Sequence, residues 1–212
     1  MTDDLIARLS ADLKPVRPKA MHRLLIGATL LSTLVAVVTM NMWLGMRPDI
    51  DTAMATMNFW AKFSYTLAVA LLGGVATLAL ARPDGRIRWP WYVAFGLLAA
   101  LVIVAFVQLA RAEPEEMMPL IIGGTSLVCP WRIVVLGLPV LLGALLALRR
   151  FAPRNPTLAG FAAGIMAGGA GAWVYSFACA ETGMMFLALW YTLGIVIVGG
   201  IGAVLGRFLL RW

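Results

Sequence analysis

Long apolar runs separated by short polar connectors dominate the chain. A bilayer core about 30 Å thick is crossed by roughly 20 apolar residues in a helix. The predicted spans are Leu24–Leu44, Asn58–Ala81, Pro90–Ala110, Pro130–Leu148, Leu158–Ala178 and Phe186–Phe208. None of them shows the polar and apolar alternation that is typical of a membrane β-barrel. The pattern therefore predicts an all-α, polytopic membrane protein that forms a bundle of six transmembrane helices.

The composition narrows the functional classes. Hydrophobic residues make up 62% and charged residues 13% of the chain, against about 45–50% and 25% in soluble domains. These values exclude a disordered chain, a disulfide-rich secreted module and an ordinary soluble enzyme. With two cysteines and one histidine, the sequence also excludes a zinc-finger framework. It contains no recognisable catalytic triad, phosphate loop or carboxylate pair, so we expect no catalytic residues and no required cofactor.

The positive charges predict an orientation. Thirteen of the 17 lysines and arginines fall in the segments 1–23, 82–89, 149–157 and 207–212, which lie on one side of a six-span topology. Cytoplasmic loops retain Lys and Arg, so both termini are predicted to be cytoplasmic. The net charge of +7 is thereby explained by topology and by contact with the lipid bilayer, and it gives no support for direct nucleic-acid binding.

The predicted spans contain few groups that a transport pathway would use. Lys62 and Gln108 both fall near the outer ends of their spans, where we expect the Lys62 side chain to snorkel to the surface. Gly160, Gly164 and Gly168 repeat at the GxxxG spacing that brings helices into close contact. We therefore favour helix packing over a transport pathway for the glycines.

Residues 1–20 are predicted to be a cytoplasmic amphipathic segment, ahead of a transmembrane sensor domain over 21–212. Leu5, Ile6, Leu9 and Leu13 recur at helical spacing on one face. A helix resting on an anionic leaflet would be expected to carry a basic polar face, whereas this segment carries three acidic residues and one arginine before Leu13. We favour partner binding over membrane resting, because a partner groove accepts such an apolar stripe.

The two cysteines are predicted to reach one depth at the outer surface. Cys129 directly precedes the fourth span and Cys179 follows the fifth. Two thiols there can form a disulfide or share a soft metal ion, although they can also be unrelated buried residues or a permanent structural bridge. Cys129 lies at a helix N-terminus with Arg132 one turn on, whereas Cys179 is followed by Glu181. We therefore expect Cys129 to be the more reactive thiol and to attack Cys179.

Three elements of the sequence resemble the NrsF family, membrane anti-sigma factors of bacteria. They are the N-terminal run Asp4-Leu5-Ile6-x-x-Leu9-x-x-Asp12-Leu13-Lys14-Pro15-Val16-Arg17-Pro18, the motif Cys129-Pro130-Trp131-Arg132, and Cys179-x-Glu181 followed by Phe186-x-x-x-Trp190-Tyr191-x-x-Gly194. Together with the six spans, the resemblance covers essentially the whole chain.

The resemblance implies a protein that holds an extracytoplasmic-function (ECF) sigma factor at the bacterial inner membrane. Release follows when oxidants or thiophilic heavy-metal ions reach the cysteines. Cys129 and Cys179 would then be the sensing residues, and the ligands when a metal is the signal, with support from Arg132 and Glu181. The apolar stripe of Leu5, Ile6, Leu9 and Leu13 would bind the sigma factor.

Two other functions stay open at this stage. A small membrane transporter or permease would need a polar pathway through the bundle, and a passive membrane scaffold would have inert cysteines. The sequence does not distinguish a dithiol, disulfide or metal-bound resting state, and it leaves the oligomeric state open.

Overall fold

The computed structural model describes residues 20–82, 85 and 87–211. Apart from Ala20, the predicted partner-binding segment, with Leu5, Ile6, Leu9 and Leu13, lies outside the described residues. Within the described part, the secondary structure is entirely helical. Its elements are α1 (Ala20–Trp43), α2 (Ile50–Met54), α3 (Met57–Leu80), α4 (Trp89–Arg111), α5 (Pro114–Ile122), α6 (Cys129–Leu148), α7 (Pro156–Tyr175), α8 (Met184–Phe186), a π-helical turn (Leu187–Tyr191) and α9 (Thr192–Leu209).

Six helical segments are long and apolar enough to cross a membrane, which confirms the predicted fold class. They are Met21–Trp43, Met57–Leu80, Trp89–Arg111, Cys129–Leu148, Pro156–Tyr175 and Met184–Leu209. The last span is continuous through α8, the π-helical turn and α9.

Polar residues at the helix starts explain several of these boundaries. The side chain of Thr56 accepts a hydrogen bond from the Phe59 amide and caps α3, and Asn155 caps α7 by accepting from the Leu158 amide over 3.0 Å. Pro114 occupies the first turn of α5, where its missing N–H costs no helical hydrogen bond. Pro114 therefore begins a short helix.

The predicted end of the fifth span differs from the structure. We expected the helix to continue to Ala178, but α7 ends at Tyr175. Hydrogen-bonded turns follow, in which the Ala178 and Cys179 amides both donate to the Tyr175 carbonyl. Cys179 therefore lies on a turn beyond the helix rather than on the helix itself.

Helix α7 forms the centre of the bundle. It packs against α3, α6 and α9, and α1 packs on the outside of α6. The most apolar part of α7 is 72% buried within the protein, whereas the corresponding part of α4 is 11% buried. Helix α4 is therefore peripheral and leaves most of its apolar surface for lipid.

Glycines bring the backbones of α7 and α9 into direct contact. A Cβ atom at Gly160 would meet the Gly202 carbonyl, and one at Gly164 would meet the Val198 carbonyl and the Gly199 Cα. Small residues at such positions allow membrane helices to approach closely. The structure thus confirms that these glycines serve helix packing.

The consecutive spans run antiparallel, so the bundle has two chemically distinct ends. We call the end that holds Cys129 and Cys179 the cysteine end. The opposite end carries exposed arginines and is called the arginine end; its arginines are Arg23, Arg82, Arg88, Arg149, Arg150, Arg154, Arg207 and Arg211.

A methyl group at the α7–α9 crossing should destabilise the protein. In Gly164→Ala the added Cβ would clash with backbone atoms of α9, and overpacking of this kind costs about 1–3 kcal/mol. Gly200→Ala is the matched control, because a Cβ at Gly200 meets nothing within 4 Å. We expect the thermal midpoint in detergent to fall for Gly164→Ala only. Equal midpoints for the two variants would contradict the proposed backbone contact.

Candidate functional site

Cys129 begins α6, and its side chain is fully buried. The chain approaches it through turns in which the Cys129 amide donates to the Thr125 carbonyl over 2.8 Å. Pro130 follows in the first helical turn. The exposed fraction of Cys129 is 0%, so solvent does not contact the sulfur.

Cys179 lies at the same end of the bundle and is also buried, with an exposed fraction of 3%. Both cysteines belong to one hydrophobic cluster and both thiols are free. They are close enough to interact electrostatically. The structure therefore places the two cysteines at the same end of the bundle, and their pairing and sensing role stay predictions.

Lys62 is buried beside Cys179, and the expectation that it snorkels to the surface is wrong. Its exposed fraction is 5%. Its ammonium nitrogen donates to the Glu181 carbonyl over 2.7 Å and to the Cys179 carbonyl over 3.3 Å. It also lies 5.5 Å from the centre of the Tyr191 ring, a cation–π distance. An ionisable residue inside an apolar span was the signal that should have drawn attention to it.

Arg47 supplies a second cation to the same backbone segment. Its amide donates to the Phe177 carbonyl over 3.2 Å, and its Nη1 donates to the Cys179 carbonyl over 3.3 Å. The remainder of the guanidinium forms a bidentate pair with Asp49, at 2.8 and 2.6 Å. This pairing lowers the pKa of the Asp49 carboxyl and raises the pKa of Arg47. Arg47 therefore fastens the loop after α1 to the segment that carries Cys179.

Glu181 connects the two cysteine segments. Its Oε1 accepts hydrogen bonds from the Gly124 amide and from the Thr125 hydroxyl, each over 2.9 Å. Thr125 in turn accepts from the Cys129 amide. Glu181 thus fixes the turn before Cys129 to the loop after Cys179, a positioning contact that its sequence neighbourhood alone does not reveal.

The far end of the same loop is held by α4. Gln108 accepts a hydrogen bond from the Met184 amide over 2.8 Å through its Oε1. The indole of Trp190 donates to the Ile121 carbonyl over 3.0 Å and ties the last span to α5. The loop Cys179–Met184 is therefore bound by side chains from the loop after α1, from α3 and from α4.

Two tyrosines with tilted rings pack against each other near the cysteines. The rings of Tyr175 and Tyr191 are 5.7 Å apart. Arg132 donates to the Tyr175 hydroxyl over 3.2 Å and lies 6.0 Å from the centre of its ring. The Tyr191 hydroxyl is fully buried, and among the described residues it has no hydrogen-bond partner. Tyr191 lies on the π-helical turn, which the sequence pattern did not predict.

These contacts remove one argument for the predicted order of thiol reactivity, and the order itself stays a prediction. The sequence assigned the reactive role to Cys129 on the basis of Arg132, but the Arg132 guanidinium is engaged by Tyr175. Both cysteines are buried, so burial does not distinguish their reactivity. The Lys62 ammonium hydrogen-bonds the Cys179 carbonyl directly and also lies within electrostatic range of Cys129.

The donor set at this site is small for a metal ion. Among the described residues, no group of three or more His, Cys, Asp and Glu side chains is arranged to hold a metal. Cys129 and Cys179 would be the thiolate ligands of a bound soft ion, which thiolates favour. Such a site suits a heavy-metal ion as a transient signal better than a resident tetrahedral zinc, which takes four ligands.

Removal of the Tyr191 hydroxyl should not destabilise the protein. A buried hydroxyl without a partner costs about 1–3 kcal/mol, so we expect Tyr191→Phe to leave the thermal midpoint unchanged or to raise it. Tyr65→Phe is the matched control, because the Tyr65 hydroxyl hydrogen-bonds Thr192 over 2.8 Å and its loss should cost about 1 kcal/mol. Thermal unfolding in detergent compares the two. A larger loss for Tyr191→Phe would show that its hydroxyl is satisfied.

Comparisons with known proteins agree with the sequence resemblance. The profile of the NrsF family, described as "Negative regulator of sigma F", matches residues 9–212. The "Anti-sigma-F factor NrsF" of Caulobacter vibrioides is 39% identical over 213 residues, an alignment that covers 100% of this chain and 99% of the relative. The "Probable anti-sigma-F factor NrsF" of Azospira oryzae is 36% identical over 220 residues, with coverage of 100% and 99%. No solved structure matches the chain. The chain therefore belongs to the NrsF family of negative regulators of sigma F, and it is an anti-sigma factor rather than an enzyme.

Proposed function

We propose that this protein sequesters an ECF sigma factor at the bacterial inner membrane and releases it when an oxidant or a thiophilic heavy-metal ion acts on Cys129 and Cys179. The observation that supports the proposal best is the pair of free, buried thiols on two segments that Glu181 joins at one end of a six-span bundle. Membership of the anti-sigma factor family supports a sigma factor as the partner that is released.

The proposed orientation has the arginine end in the cytoplasm and the cysteine end outside. The concentration of arginines supports it, because cytoplasmic loops retain positive charge. A disulfide formed at the cysteine end would then be beyond the reach of cytosolic reductants. The sigma factor would bind at the arginine end, where α1 begins.

The burial of both sulfurs limits the nature of the signal. Bulky thiol reagents would not reach side chains with exposed fractions of 0% and 3%. A small oxidant or a bare soft metal ion has no such difficulty, provided that a cavity leads to the site. The proposed sensor therefore selects for small signals by steric exclusion.

The bundle offers a route for coupling the two ends. Cys129 begins α6 and Cys179 follows α7, so a bond or bridge between the sulfurs would alter the spacing of these two helices. Both helices continue to the arginine end, where the loop between them carries Arg149, Arg150 and Arg154. Rigid helices can transmit such a displacement. Reversing a 99:1 preference requires about 5.5 kcal/mol of differential stabilisation.

Replacement of the cysteines should abolish induction. We expect Cys129→Ser, Cys179→Ser and the double variant each to keep the target promoter repressed during treatment with hydrogen peroxide or cadmium, because the pair acts as a unit. Promoter output in cells measures this. Ser126→Ala changes another buried small residue near Cys129 and should leave induction intact. Normal induction in the double variant would refute the sensing role.

The apolar stripe of the N-terminal segment should be needed for sigma-factor binding. A charge on the stripe, in Leu9→Glu, is expected to lower recovery of the sigma factor in a pull-down from detergent, because it would bury an unpaired carboxylate. Ala11→Glu adds the same charge opposite the stripe at helical spacing and should bind normally. Deletion of residues 1–19 should abolish recovery. Full binding by the deletion variant would assign the sigma site elsewhere.

A further inference from the structure

The Tyr191 hydroxyl is a buried donor without a well-formed hydrogen bond among the described residues. Tyr191 has an exposed fraction of 0%, and no described residue accepts or donates a hydrogen bond to its oxygen. Such a group destabilises the folded state, and its presence calls for an explanation. The nearest acceptor is the Cys179 thiol, whose sulfur accepts hydrogen bonds only weakly, so a stronger acceptor that appears on that sulfur would satisfy the hydroxyl.

The Lys62 ammonium offers a second donor at the same place. It has three N–H groups, and carbonyls of Cys179 and Glu181 accept two of the hydrogen bonds. Within the described part of the chain, no carboxylate lies within ion-pair distance of it, since the ion pair found there joins Arg47 and Asp49. The ammonium also interacts with the Cys179 thiol. A thiol sulfur is a weak acceptor. A stronger acceptor on this sulfur would therefore receive hydrogen bonds from the Tyr191 hydroxyl and the Lys62 ammonium.

A cavity leads from the end of the bundle to Lys62. Its volume is about 230 Å³, and its lining includes Arg47, Thr56, Lys62, Glu181 and Thr182. Because Lys62 binds the Cys179 carbonyl, the floor of this cavity lies next to the residue that carries the thiol. A water molecule occupies about 30 Å³, so a molecule the size of hydrogen peroxide fits easily.

We propose that Cys179 is the thiol that a small hydroperoxide oxidises first, and that Tyr191 and Lys62 bind the oxygen atom that its sulfur gains. This assignment rests on the proposed role of the cysteine pair as the sensor, and it reverses the order that the sequence predicts. Lys62 and Tyr191 also lie within electrostatic range of Cys129, but their hydrogen-bonding contacts are with Cys179, and Arg132 is bound to Tyr175.

The chemistry proceeds in two balanced steps. The Cys179 sulfur attacks one peroxide oxygen, the S–O bond forms, the O–O bond breaks and one water leaves with the thiol proton. The sulfur loses two electrons and the peroxide gains them, which yields a sulfenic acid at Cys179. The Cys129 thiol then attacks the Cys179 sulfur, the S–S bond forms, the S–O bond breaks and a second water leaves. The product is the Cys129–Cys179 disulfide.

Single-cysteine variants of the full chain in detergent test the order of oxidation. Cys129→Ser removes the resolving thiol, and Cys179→Ser is its counterpart. Each is treated with limiting hydrogen peroxide and then denatured in the presence of dimedone, which traps sulfenic acid, and the adducts are measured by mass spectrometry. We expect Cys179 to form the adduct at least about ten times faster than Cys129, a difference that one hydrogen bond in the transition state can produce. Equal rates, or faster reaction of Cys129, would overturn the proposal.

Second variants in the Cys129→Ser background test the two donors. Tyr191→Phe and Lys62→Met should each slow adduct formation on Cys179 by about tenfold, the effect expected for loss of one hydrogen bond. Tyr65→Phe removes a buried tyrosine hydroxyl away from the sulfur and should leave the rate unchanged. If Lys62→Met fails to fold, Tyr191→Phe alone tests the donors. We expect Tyr191→Phe to fold, because the hydroxyl that it removes makes no well-formed hydrogen bond. An unchanged rate for Tyr191→Phe would refute its role.

The promoter assay separates this proposal from the proposed function. If peroxide induces the promoter without either cysteine, the sensor function fails regardless of which thiol reacts first. If induction needs both cysteines but Cys129 forms the first adduct, the order proposed here fails and the sensor function stands.

Discussion

The segment Cys179–Met184 is non-helical as far as Gly183 and lies at the end of a membrane bundle, where side chains of the protein bind several of its polar groups. Lipid offers no hydrogen bonds, so irregular segments are tolerated at membrane depth only where protein or water satisfies them. Lys62 and Arg47 bind the carbonyl of Cys179, and Lys62 also binds that of Glu181. The same contacts place a buried charge beside one of the two cysteines. The contacts that satisfy the loop carbonyls therefore also bring the Lys62 ammonium next to Cys179.

The centre of the bundle has the opposite character. Helix α7 meets α9 through glycines, so that backbone rests on backbone over much of the crossing. Contacts of this kind have few side-chain rotamers to absorb a displacement, and a packed interior transmits strain. Helix α7 ends at the cysteine site and begins, after Asn155, at the opposite end of the molecule. It is the element best placed to carry a change at the sulfurs across the membrane.

The fold was predictable from the sequence because span length and hydropathy are local properties. The six spans, the helical start at Cys129 and the packing role of the glycines all follow from such patterns. The site was predictable only in part. Cys129 and Cys179 were found from their depth, but Lys62 and Tyr191 acquire their roles from contacts with residues more than a hundred positions distant or on another helix. No spacing rule encodes those contacts.

Arg132 shows why neighbours in sequence are not sufficient to assign the reactivity of the Cys129 thiol. One turn beyond Cys129 on a helix, a guanidinium is expected to face the thiol. In the structure the guanidinium instead donates a hydrogen bond to the Tyr175 hydroxyl, on α7, and lies near its ring. A prediction based on neighbours in sequence had no means of weighing a partner supplied by another helix.

The π-helical turn Leu187–Tyr191 sets the rotational phase of the last span. Relative to a uniform α-helix, such a turn holds one extra residue, and each residue accounts for about 100° of rotation at 3.6 residues per turn. The widened turn lets Tyr191 face the cysteines while Gly199 and Gly202, farther along, still face α7. One extra residue therefore sets the rotation between the two parts of the last span. A change in the π-helical turn would redirect the side chains near the cysteines without altering the glycine face that contacts α7.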